Sequence, residues 1–151
     1  MSLDALDCKI LTLVQQNNSL AIEEMARVLG SSKSPIWTRL KRLREEGYIK
    51  AEVALLDSEL MGLKETFFVA IRATTHSSEW TDKFTHIVSQ MPEIMEAYRM
   101  AGDIDYLLKV RVKDTRAFDD FYKKLIKEIE IKDVTSMLSM EKMKESHILP
   151  L

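Results

Sequence analysis

The sequence predicts an α+β chain in two parts: an N-terminal three-helix, winged-type helix-turn-helix unit, then a ferredoxin-like βαββαβ sandwich. Three observations predict it. Two short amphipathic helical patterns lie between Ser19 and Lys50, separated by the turn Gly30-Ser31. After Gly62 the apolar period changes, and β-branched or aromatic runs alternate with helical stripes. Positive charge gathers in one segment of an otherwise acidic chain.

The length of 151 residues accommodates one ordinary domain or two small ones, and 46% apolar against 30% charged residues argues against disorder. No apolar run approaches the ~20 residues a membrane helix needs, and the acidic start MSLDALD is unlike a signal peptide. The single Cys8 makes no internal disulfide, and with three scattered His it assembles no zinc site. A cytoplasmic protein without cofactor or metal is expected.

Element by element, Asp4 or Ser2 caps a first helix reaching about Gln16, with Leu6, Ile10, Leu13 and Val14 as its buried stripe and Cys8 as a small buried residue. Asn17-Asn18 breaks it. Ser19 opens a second helix with Ile22, Met25, Ala26 and Leu29 inward, and Gly30 closes it. Ser32 or Ser34 caps a third, with Pro35 in the first turn where a missing N–H costs nothing, and Gly47 ends it.

At 100° per residue, Ile36, Leu40 and Leu43 of the third helix share one face and must point into the trihelical core. Ser34, Thr38, Lys41 and Arg42 then lie on the opposite, outward side, where Ser34, Thr38 and Lys41 form a ridge at i, i+4, i+7, with Trp37 and Arg44 on its flank. The net charge of −2 hides an uneven distribution. Residues 1–50 hold 8 Lys/Arg and 6 Asp/Glu, whereas residues 51–151 hold 14 and 18. Within 33–50, Lys33, Arg39, Lys41, Arg42, Arg44 and Lys50 face only Glu45 and Glu46. A local cationic excess on a helix that crosses another at a tight turn fits double-stranded DNA. Ser34, Thr38 and Lys41 are assigned to base edges, Lys33 and Arg42 mainly to phosphates.

Tyr48–Leu55 is a β-capable stretch, a short wing or linker strand, and a domain boundary is placed within 57–62. The expected division is 1–50, a linker at 51–62, and a second domain at 63–151. In that domain Thr66–Ala73 reads as a strand. Ser77-Ser78 caps a helix with Trp80, Phe84, Ile87, Val88 and Met91 apolar. Ile94–Met100 and Tyr106–Val112 form a hairpin about Ala101–Asp105. Asp114 caps a helix with Phe118, Phe121, Leu125 and Ile129 inward, and 133–144 is the final strand. Two helices on one side of a four-stranded antiparallel sheet leave the other side for a second subunit. Met137, Met140 and Met143 are read as core or subunit interface.

The first-half run LDALDCKILTLVQQNNSLAIEEMARVLGSSKSPIWTRLKRLREEGYIKAEVALLD, followed by MAGDIDYLLKVRV and SMLSMEKMKESHILPL, resembles the leucine-responsive/asparagine regulator (Lrp/AsnC, feast/famine) family over nearly the whole chain. The resemblance implies an amino-acid-responsive transcription regulator, not an enzyme, that binds operator DNA as a dimer or higher oligomer, often an octamer. By position, it puts the recognition helix on Ser32–Glu46, with Ser32 joining the DNA contacts. It puts a leucine- or methionine-sized effector at a subunit interface on Ala101, Gly102, Asp103, Asp105 and Tyr106, with Ser136 facing that turn. Lys33 stands where relatives usually carry Pro, Trp37 replaces a smaller apolar residue, and Ala101 stands where Ser or Thr is common.

The residues of the turn support the same chemistry. Gly102 admits close backbone approach, exposed N–H groups hold a carboxylate, and Asp103 or Asp105 accepts from an α-ammonium. Two other classes are weighed: an architectural protein that wraps DNA with little sequence preference, and a small dimeric ferredoxin-like enzyme. Against the enzyme, the chain lacks a nucleophile–base pair, a metal set and a phosphate-binding Gly loop.

Overall fold

The structure, a computed structural model, describes residues 2–151. The chain forms two compact units: the first runs to Leu55 and also contains Met143–Leu151, and the second is Leu56–Lys142. The last nine residues therefore do not stay with the expected 63–151 domain.

In the first unit, α1 spans Ala5–Gln16, α2 Ile22–Val28 and α3 Lys33–Glu45. Asp4 caps α1 in a capping box, its carboxylate accepting from the N–H groups of Leu6 and Asp7 while the Asp7 carboxylate accepts from the N–H of Asp4. Ser19 does not cap α2. That helix starts two residues later, after Ala21, because Asn17 folds the preceding segment into its own turn by accepting from the Ser19 N–H through Oδ1. Ser32 occupies the N-cap position of α3, without a side-chain capping bond.

Gly47 ends α3 at φ 79°, and the Gly47 and Tyr48 N–H groups return to the carbonyls of Arg44 and Leu43. This is a Schellman closure that needs a left-handed residue, so glycine stands there. Ile10, Leu11, Val14, Met25, Ala26, Ile36, Leu40 and Leu43 form the trihelical core, while Leu6, Leu13 and Ile49 pack half-buried around it. Cys8 is half-buried. The β-capable stretch 48–55 is in no strand, because nothing in its own chain offers it a ladder. The chain end is tied down instead: Gln15 Nε2 donates to the Leu149 carbonyl at 2.8 Å and the Leu149 N–H to Gln15 Oε1 at 2.9 Å.

In the second unit, β1 is Glu65–Ala73, α4 Ser78–Gln90, β2 Ile94–Arg99, β3 Tyr106–Val112, α5 Thr115–Glu128 and β4 Ile131–Leu138. The sheet order is β2-β3-β1-β4 with every pair antiparallel, the ferredoxin-like arrangement expected. Alternation assigns the faces. Phe67, Val69, Ile71 and Ala73 of β1 and Tyr106, Leu108, Val110 and Val112 of β3 are buried in one core with Trp80, Phe84, Ile87, Phe118, Phe121 and Leu125. Ser77 and Asp114 cap α4 and α5 through the Trp80 and Ala117 N–H groups.

The opposite sheet face carries the cross-strand rows Met137–Phe68–Lys109–Glu96 and Thr135–Ala70–Leu107–Tyr98. Glu96 is held by Lys109 Nζ at 2.7 Å and by the Tyr98 hydroxyl. β4 starts and stops earlier than the expected 133–144. Leu138 pairs with Phe67, two residues from the start of β1, and beyond Ser139 N–H to Thr66 carbonyl the ladder has no further partner. Met140 and Met143, at 90% and 91% exposure, are not core residues.

Candidate DNA-reading helix and effector turn

The helix α3 turns Ile36, Leu40 and Leu43 inward and leaves Ser34, Pro35, Thr38 and Lys41 exposed. Trp37 is also outside, 55% exposed, with the Lys41 ammonium 5.5 Å from its ring centroid. The outward ridge read from helical spacing is therefore present, widened by one aromatic. Ser32 and Lys33 are exposed at its N-terminal end.

The cations behave differently from their count. Lys33 Nζ lies 2.7 Å from Glu23 Oε1, and the Arg44 guanidinium reaches Glu52 Oε1 at 2.7–2.8 Å. Arg39 is held by both Asp4 and Asp7, with Nη1 at 2.8 Å from Asp7 Oδ1. Arg42 Nη2 lies 2.6 Å from Asp7 Oδ2. The expected phosphate anchor Arg42 is thus spent on an internal partner, and its Nε is buried without a hydrogen-bond partner among the described residues. The local excess of cations over Glu45 and Glu46 is met by four carboxylates from elsewhere: Asp4, Asp7, Glu23 and Glu52.

Asp7 is the one buried charged side chain among the described residues, 1% exposed. Burial alone would raise its pKa. The Asp4 N–H and the Arg42 and Arg39 guanidiniums outweigh that and hold it at about 2, below the ordinary 3.8. Its hydrogen bond to Asp4 is the largest influence holding Arg39 protonated, followed by Asp7; for Arg42 the largest is Asp7. Sequence reasoning reads Asp4 as a cap and leaves Asp7 without a role. The available signal was Asp-x-x-Asp before an apolar run together with two arginines three apart on the flank of α3.

The turn between β2 and β3 departs more from expectation. Gly102 has φ 138°, and a Cβ there would meet nothing within 4 Å, so backbone angle rather than crowding calls for glycine. Ala101, Gly102 and Asp103 are exposed. Asp105 closes the turn onto β1: its N–H donates to the Ile71 carbonyl at 2.9 Å, and its Oδ2 accepts from the Ala73 N–H at 2.8 Å. Arg72 Nε donates to the Asp103 carbonyl at 2.7 Å, and Asp103 itself is exposed.

Tyr106 is a core residue, its ring 4.6 Å from that of Phe84 and 5.6 Å from that of Trp80. Ser136 is not brought to the turn within this chain. It pairs with Val69 on the side of β1 opposite β3. A cavity of about 790 Å³ occurs in the helical unit, where Leu11, Val14, Gln15, Tyr48, Val53 and Leu149 help line it; none of the turn residues does. Among the described residues no His, Cys, Asp or Glu cluster is arranged to hold a metal, and no helix is long and apolar enough to cross a membrane.

The chain was compared with known proteins. The Lrp/AsnC ligand binding domain matches residues 66–149 and a winged helix-turn-helix DNA-binding domain matches residues 3–50. Among curated relatives, the glutamate uptake regulatory protein of Zymomonas mobilis is 44% identical over 99% of this chain and 91% of its own length. The DNA-binding transcriptional activator DecR of Escherichia coli is 43% identical over 99% of both chains. Among solved structures, an AsnC family transcriptional regulator from Agrobacterium tumefaciens superposes with a TM-score of 0.95 at 46% identity, covering 98% of this chain and 97% of that one. A Neisseria meningitidis transcriptional regulator, solved as its L-Met complex, superposes with a TM-score of 0.93 at 29% identity, covering 99% and 97%. The Escherichia coli, Agrobacterium and Neisseria relatives are named as transcription regulators and the Zymomonas one as a regulatory protein, which sets the enzyme reading aside. A helix-turn-helix unit followed by a ferredoxin-like domain, both matched in order over nearly the full length, places the chain in the Lrp/AsnC family of transcription regulators.

Proposed function

We propose that this cytoplasmic regulator binds operator DNA through α3 as a dimer or higher oligomer, up to an octamer, and that a small amino acid bound where subunits meet adjusts that binding. The observation that carries the DNA half is the outward ridge of Ser34, Thr38 and Lys41, all exposed while the opposite face of the helix is buried. Two hydroxyls and one ammonium one turn apart suit base edges in a major groove. Ser32 and Lys33, at the N-terminal end of α3, suit phosphates, because the Glu23 partner of Lys33 is exposed and exchangeable where the Asp7 partner of Arg42 is buried.

Support for the effector half comes from the turn. Ala101 and Gly102 expose backbone, and Asp103, itself exposed, offers a carboxylate to an α-ammonium. The Neisseria relative's L-Met complex favours a methionine- or leucine-sized ligand. Asp105 and Tyr106 support the turn from beneath, and Ser136 reaches an effector only if it belongs to a neighbouring subunit's side of the pocket.

The DNA half is tested by fluorescence anisotropy of the full-length protein on its own promoter region over a salt series. Lys41→Ala is expected to weaken promoter binding about tenfold while affinity for a random duplex of equal length falls little. Unchanged promoter affinity would remove α3 as the reader. For the effector half, a thermal-shift screen of the twenty amino acids is expected to show one or a few stabilising ligands, with the shift lost in Asp103→Ala. No shift with any amino acid would overturn the sensor reading.

A further inference from the structure

Building on α3 as the DNA reader, we infer that Asp7 is a specificity-determining residue. It draws the Arg39 and Arg42 guanidiniums off the DNA-facing surface, so that the recognition helix meets DNA with hydroxyls, Trp37 and Lys41 rather than with a row of phosphate-seeking charges.

Arg39 and Arg42 are three residues apart, so they lie on one side of α3 and one acceptor on α1 can take both. Asp7 is that acceptor. Its two oxygens are divided between them, Oδ1 to Arg39 at 2.8 Å and Oδ2 to Arg42 at 2.6 Å, and Oδ2 also accepts from the Asp4 N–H at 3.1 Å. Asp4 takes a second bond from Arg39. The two arginine side chains are 31% and 30% exposed, against 57% for Lys41. They lie close enough to solvent to reach a phosphate if released, and they are held by a carboxylate that is itself buried.

An arginine that contacts phosphate adds affinity for any sequence, since that contact carries no base information. On a matched site the base contacts of the ridge fix the docking register, with Arg39 and Arg42 turned toward α1. On random DNA the register is free to follow any phosphate that a released guanidinium reaches, so holding the two groups back costs random binding more than matched binding. The same bonds fix the side of α3 that faces α1, which sets how the ridge of Ser34, Thr38 and Lys41 is presented. Asp7 therefore acts through the arginines as a positioning residue and touches no base itself.

The test is anisotropy on the full-length protein with its own promoter duplex and with a random duplex of equal length, across a KCl series. Asp7→Asn keeps the side chain's shape and removes its charge. It is expected to bind random DNA several-fold tighter at low salt, with a log–log slope steeper by about one to two, because each released guanidinium that reaches a phosphate adds about 0.9. The promoter-to-random affinity ratio is expected to fall about tenfold.

Arg42→Gln, with Asp7 still paired to Arg39, is expected to leave the random-DNA slope unchanged. This variant decides the matter even if Asp7→Asn fails to fold, because a slope lower by about one would mean that Arg42 already contacts phosphate, and the inference would be wrong. Equal losses on both duplexes with an unchanged slope in Asp7→Asn would likewise overturn it, leaving a purely structural role. If the unmodified protein bound neither duplex, the reading of α3 itself would fail first.

Discussion

Asp7 joins α1 to α3 through a single carboxylate, so acid should loosen the helical unit there. Its folded pKa of about 2 lies below the ordinary 3.8, so its contribution is complete above about pH 4 and is lost as pH falls through about 2. The shift corresponds to about 2 kcal/mol. Urea midpoints measured between about pH 5 and pH 2 should fall more steeply in the native protein than in Asp7→Asn, which keeps only the acid limb of the other carboxylates held low by their partners, Asp4, Glu23, Glu52 and Glu96. At Gly102 the prediction is of a different kind. The φ of 138° excludes an ordinary side chain whatever the space around it, so Gly102→Ala should lower stability by about 1 kcal/mol in thermal unfolding. At this scale the sequence was informative about direction and silent about partners. Ser34, Thr38 and Lys41 were readable as outward because helical spacing alone decides a face. The acids that answer Arg39, Arg42, Lys33 and Arg44 were not, because Asp4, Asp7 and Glu23 are brought near by the crossing of the helices and Glu52 by the turn of the chain after α3.

Among elements, α5 illustrates a pattern that local spacing decides completely. Phe118, Phe121 and Leu125 fall on one face, and all three are buried against the sheet. Leu125→Ala should therefore cost about 2–5 kcal/mol, and Lys124→Ala on the exposed side less than about 0.5 kcal/mol, both read from denaturant midpoints. The strands were legible to within a residue or two where a neighbour exists along their whole length, as for β1 and β3. They were misjudged where propensity outran pairing. Residues 48–55 have β-forming side chains but no ladder, and 139–144 follow β4 directly but lie where β1 has run out. Strand propensity describes a surface that waits for a neighbour, and the neighbour is tertiary information.

For the whole molecule, the open sheet face makes the clearest prediction. Phe68 and Leu107 are half-buried there and Met137 is 46% exposed, beside the Glu96–Lys109 pair. An apolar centre edged by paired charges suits a subunit contact. Phe68→Glu should lower the mass found by light scattering after size exclusion, and unchanged assembly would move the contact elsewhere. The order of the two domains was visible in the sequence because each carries its own period. The fate of the last nine residues was not, since MKESHILPL has no period to assign it. What assigns it is the pair of bonds between Gln15 and Leu149.

That return of the chain end has a consequence for cutting and labelling. The polypeptide crosses from one unit to the other twice, near Leu55 and again near Lys142. A single protease nick in either crossing leaves the two units covalently joined, and separating them takes two. Asp4 and the segment Met143–Leu151 both belong to the helical unit, so a dye placed on either reports on the part that carries α3. The sensor domain is an insertion between them, and it can be exchanged for another only by rejoining the chain at two places.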